Sequence, residues 1–129
     1  MKIVNVDLKK VEIGKFFPKE NSVELKIKFT DGTDKDVIRN VLIDDPEEAA
    51  EEIVVSLRKL EKSLNRSEEE GLIIDNLMNI VIKDEDVLIG KISSFLCRIR
   101  VEMEKINGKK DEKGYLDMIR NLKSLKLEF

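Results

Sequence analysis

The stretch from Asp86 to Ile106, DVLIGKISSFLCRIRVEMEKI, carries two apolar series that a single helix can satisfy only by being covered on both sides. Ile89, Ile92, Leu96, Ile99, Met103 and Ile106 repeat at alternating steps of three and four, which keeps them in one stripe. Val87, Gly90, Ser94, Cys97 and Val101 repeat in the same way on the opposite side, and every one of them is small or medium-sized. Arg98, Glu102 and Lys105 separate the stripes along one flank. Ser93, Arg100 and Glu104 separate them along the other. The large stripe asks for a core, and the small one lets another backbone come close.

A core of adequate size is available. The 129 residues are 41% apolar and 40% charged, so one domain spanning 1–129 can bury a centre without disulfides or metals while showing an almost wholly ionic surface. With five Phe, one Tyr and no Trp, that centre must be built from Ile, Leu and Val. Abundant Lys and Glu with no His resembles the composition bias of heat-adapted proteins. The start alternates apolar with charged residues instead of running apolar, nothing approaches the length of a membrane span, and a lone Cys cannot make an internal disulfide. These features predict a soluble, cytoplasmic protein without membrane attachment.

Read in order, residues 1–43 form a β-meander. Val4, Val6 and Leu8 alternate with polar neighbours, after which the apolar parity slips to Val11 and Ile13, so a bulge is expected at Lys9-Lys10. Gly14–Asn21 reads as a connection, with Phe16 and Phe17 folded back as a lid. Val23, Leu25, Ile27 and Phe29 give the clearest strand. A turn at Asp31-Gly32 then leads to a return strand through Val37, Val41 and Ile43.

The helical part is expected over 45–124. Asp45-Pro46-Glu47-Glu48 is a capping sequence, and Ala50, Ile53, Leu57, Leu60 and Leu64 follow at helical spacing to about Asn65. Ser67 with Glu70 resembles a second start leading into Leu72–Ile82, with a break at Lys83–Asp86 before the long helix. A single helix from Ser67 to Ile106, or a short strand at Ile80–Ile82, are the other readings. Tyr115, Met118, Ile119 and Leu122 indicate a further helix. Leu125, Leu127 and Phe129 alternate as a last strand over 125–129, or extend that helix. The predicted fold class is α+β: a small antiparallel sheet of three N-terminal strands, with a fourth from the C-terminal residues in the strand reading, packed against three or four helices including one long central helix.

Chemistry is limited chiefly by the absence of histidine, which excludes the commonest general base and metal ligand. One Cys cannot build a thiolate metal site, and Cys97 on the small stripe suits a buried, inert thiol. The glycines form neither of the familiar phosphate-binding loops, and Asp31–Asp36 has the wrong spacing for a calcium loop. Acidic clusters at Asp44–Glu48, Glu68–Glu70 and Asp84–Asp86 lie at expected helix starts, where caps and dipole account for them. Catalytic residues, cofactors and metal ligands are therefore all expected to be absent.

Charge is unevenly spread within a net of −3. Residues 44–86 hold 5 basic and 14 acidic side chains, and residues 105–129 hold 7 and 4. The leading expectation is a non-catalytic protein-interaction or assembly module, with Val87, Gly90, Ser94, Cys97 and Val101 as its interface and a protein partner or a second copy as its occupant. The alternative is a nucleic-acid-associated accessory protein contacting a polyanion through Lys105, Lys109, Lys110, Lys113, Arg120, Lys123 and Lys126, with Lys26 and Lys28 on the sheet. Without stacking aromatics beyond Tyr115, that surface lacks a usual feature of single-strand binders. A carboxylate-dependent divalent-metal enzyme ranks third.

Overall fold

Alternation alone builds the middle of the sheet. In the computed structural model, which describes residues 2–30, 37–69, 76–107 and 112–129, strand β2 (Ser22–Phe29) buries every second side chain. Val23, Leu25, Ile27 and Phe29 lie inward while Glu24, Lys26 and Lys28 face out. Strand β1 (Lys2–Phe17) runs antiparallel beside it, and β3 (Val37–Leu42) pairs antiparallel along its other edge. The turn expected at Asp31-Gly32 lies outside the described residues.

β1 stays in one strand for sixteen residues because it is bulged twice. The first register shift, between Leu8 and Lys10, falls where the parity slip predicted it. The second, between Ile13 and Lys15, sits at Gly14 and carries the strand on to Phe17, through what reads in sequence as a connection. A Cβ at Gly14 would lie 2.6 Å from Glu24 Oε1 and 3.2 Å from Lys26 Cε, the ends of two flexible side chains of β2 that would have to swing aside. The true connection is a 3-10 turn, Pro18–Glu20, closed by Asn21 in the left-handed conformation. Phe16 packs against the core, and Phe17 is exposed.

The helix expected over Leu72–Ile82 is not formed in its described part, and residues 72–75 lie outside the described residues. Helix α1 (Pro46–Glu69) runs past Ser67, and Asn76–Val81 is a strand, β4. β4 pairs parallel with the first half of β1, Lys2–Asp7, and α1 supplies the long crossover that such pairing requires. The last strand, β5 (Lys126–Glu128), pairs antiparallel with Lys10–Glu12 on the edge of β1 opposite β2, as the terminal alternation predicted. The order is therefore β3-β2-β1-β4, with β5 sharing β1.

Capping sets where the helices begin. Asp45 Oδ1 accepts the Glu48 N–H at 3.2 Å, and Asp84 Oδ1 accepts the Val87 N–H at 3.2 Å, fixing the starts of α1 and of α2 (Glu85–Asn107). Helix α3 (Glu112–Ser124) buries Leu122 completely, half-buries Met118 and Ile119, and leaves Tyr115 largely outside. One apolar cluster joins β2, α1 and α2, with Leu25, Ile27, Leu57, Ile92, Leu96, Ile99 and Met103 almost fully enclosed. No helix among the described residues is long and apolar enough to cross a membrane.

Candidate interaction surfaces

The two stripes of α2 have opposite fates. Of the large series, Ile92, Leu96, Ile99, Met103 and Ile106 are buried and Ile89 is half-buried, with Leu88 and Phe95 widening the enclosed face. The small series looks outward. Val87 is 50% exposed and Val101 46%, Ser94 is exposed, Cys97 is half-buried, and a Cβ built at Gly90 would meet nothing within 4 Å. All five proposed contact residues therefore share one accessible face. The sequence also expected Cys97 to be enclosed, and here the thiol is only partly covered.

That face slopes into the C-terminal strand. A hollow of about 500 Å³ lies between Gly90, Ser94 and Arg98 of α2 and Leu127 of β5, with Phe95 in its wall. Beyond Arg98 a smaller one, about 250 Å³, reaches Val101 and Leu125. The charges between Val87 and Val101 are Lys91, Arg98 and Arg100, with no acidic residue among them. Arg100 donates to the Asp44 carbonyl at 3.3 Å and helps tie the far end of α2 to the start of α1. The Lys91 ammonium lies 5.8 Å from the ring centre of Phe129, within cation–π range. Lys91 and Arg98 thus give the flank nearest β5 a positive rim.

The outer face of the sheet is finished differently. Glu12 takes an ion pair from Lys10 at 2.7 Å and from Lys28 at 3.5 Å, and its backbone register places Lys26 and Lys126 opposite it on the two neighbouring strands. The Lys10 hydrogen bond holds the Glu12 carboxyl below its ordinary pKa. Partial burial opposes this, and the charges of Lys10 and Lys28 add to it.

The basic residues read as polyanion contacts are divided among several elements. Lys126 sits on the outer sheet face and pairs with Glu128 at 3.2 Å, and Lys105 pairs with Glu102 at 3.3 Å near the end of α2. Lys113, Arg120 and Lys123 are exposed on α3, while Lys109 and Lys110 lie outside the described residues. The acidic clusters are separated too: Asp44 accepts the Asn21 side-chain amide and neighbours Arg100, whereas Asp84 caps the opposite end of α2. No group of three or more Cys, Asp or Glu among the described residues is arranged to hold a metal ion.

No protein-family model, curated protein or solved structure matches this chain. The surface that sequence reasoning passed over is the β3 edge, where Ile38 is 47% exposed and Leu42 60%. The signal was present. In VIRNVLI both parities are apolar, and only Val37, Val41 and Ile43 can point inward.

Proposed function

We propose that this protein is a non-catalytic interaction module that binds a protein partner through the outward face of α2. The observation that supports it is a stripe of small, uncharged, solvent-facing side chains from Val87 to Val101 on a chain whose residues are 40% charged. Small side chains at a helix contact shorten the distance between axes, so a partner helix can reach van der Waals contact with the backbone at Gly90. Two copies of α2 stacked antiparallel about a twofold axis would set the Lys91–Arg98 flank against itself. The face is accordingly better matched by a different protein presenting apolar side chains beside acidic ones.

The test is reconstitution. A partner recovered on immobilised protein is purified, and its affinity is measured for the wild type and for the Val87→Glu/Val101→Glu variant. At least tenfold weaker binding by the variant is expected, since burying either valine is worth roughly 1.5 kcal/mol or more. Equal affinity of the two, at equal folded content, would remove α2 from the interface.

A further inference from the structure

We propose that β3 is a self-pairing edge, through which two copies of this chain join their sheets about a twofold axis at Asn40. This surface is separate from the α2 face and does not depend on it. The direction of β3's main-chain groups follows from one hydrogen bond. The Ile43 N–H donates to the Asn21 carbonyl at 2.9 Å, and the register places Val23 opposite Val41, Leu25 opposite Arg39 and Ile27 opposite Val37. In an antiparallel ladder these alternate pairs turn their N–H and C=O groups toward each other, so those of Ile38, Asn40 and Leu42 point away from β2. No other strand pairs with that edge among the described residues.

Edge strands that must stay single commonly carry Lys, Pro, a bulge or an inward-pointing charge. β3 has no Lys, Pro or bulge. Its one charged residue, Arg39, donates through Nε to Ser56 Oγ of α1 and through Nη1 to the Ile38 carbonyl at 2.8 Å, an oxygen that retains a second lone pair. An antiparallel pairing centred on Asn40 sets Ile38 against the partner's Leu42 and Asn40 against the partner's Asn40. Every outward donor then meets an outward acceptor, and the two most exposed apolar side chains among the described residues of the sheet cover each other. The Arg39–Ser56 bond also fixes α1 above the middle of β3. There the helix borders a hollow of about 770 Å³ lined by Glu48, Glu51, Glu52, Val55 and Lys59, Val55 being 50% exposed. The same twofold carries the two α1 helices past each other at Val55, with Glu52 of one copy toward the partner's Lys59.

The experiment is sedimentation equilibrium of the purified full chain over a concentration series. It compares the wild type with Asn40→Pro, Ile38→Lys/Leu42→Lys and Val87→Glu/Val101→Glu. Proline at 40 removes only an N–H that faces away from β2, so the β2–β3 ladder survives, and thermal melting verifies that each variant is folded. The expected result is a wild-type dimer, unchanged by the α2 substitutions and weakened at least 100-fold by the Lys pair and by Asn40→Pro. A wild type monomeric throughout overturns the proposal. So does a dimer that ignores both β3 variants, or one lost only with the α2 variant.

Discussion

The two faces of α2 have nearly the same spacing and opposite surroundings. Inward, Ile92, Leu96, Ile99 and Met103 are enclosed to within a few percent. Outward, the same helix presents Val87, Gly90, Ser94 and Val101 to solvent. Periodicity tells which side chains travel together, but side-chain volume tells what each group is for. The large set fills space between α1, α3 and the sheet, whereas the small set contributes little to stability when uncovered. Such a face costs the fold little to leave open.

The contrast predicts a hierarchy of substitutions. Leu96→Ala on the inner face should have the largest effect, a loss of about 3 kcal/mol, because the enclosed site loses both transfer free energy and packing. Urea denaturation with an unchanged slope would measure it. A loss below about 1 kcal/mol would mean that the inner face is not a well-packed core. Next comes the helix start, which both faces share. Asp84→Ala leaves the Val87 N–H without its side-chain acceptor and should cost about 1 kcal/mol. Asp84→Asn should restore most of that, separating the cap from the charge.

The outer face should respond with the opposite sign. Gly90→Ala adds a methyl group into open space and removes backbone freedom from the unfolded chain, so the fold should gain about 0.5–1 kcal/mol. Gly90→Leu should leave stability no lower than the wild type while weakening partner binding. If Gly90→Leu instead lowered the melting temperature, the small stripe would be packed against something within the fold, and the comparison between the two faces would fail.

How much of this was legible in the sequence depended on how local the cause was. β2, the cap at Asp45, the large stripe of α2 and the bulge at Lys9 each follow from a few neighbouring residues. The bulge at Gly14 did not, since glycine has no side chain whose parity can be followed. β4 was missed for a different reason. Leu77, Met78, Ile80 and Val81 fit a helix as well as a strand, and what selects the strand is the vacant edge of β1 at Lys2–Asp7, far away in sequence. Ser67 imitated a helix start although α1 runs on through it to Glu69. At the candidate surfaces, spacing set the α2 residues on one face of the helix but could not say whether they were covered. The exposed side of β3 was readable only by asking which of two apolar parities must lose.

The smallest predicted effect belongs to the sheet's outer face, the solvent-facing surface that, unlike α2, is saturated with charge. Glu12 has its pKa lowered in the fold, first by the Lys10 hydrogen bond and then by the charges of Lys10 and Lys28, so folding favours its ionised form. A carboxylate of this kind contributes stability that is fully present above its unfolded value, near 4.5, and is lost as pH falls through the lower folded value. Because the group is partly exposed, the contribution should be below about 1 kcal/mol and should shrink further in high salt. Urea midpoints for the wild type and Glu12→Gln should therefore differ at pH 7 and converge as the pH falls below the lowered folded value. A difference that persisted unchanged into acid would assign the effect of Glu12 to packing, and the ion pairs of the outer sheet face would then be as indifferent to stability as the open stripe of α2.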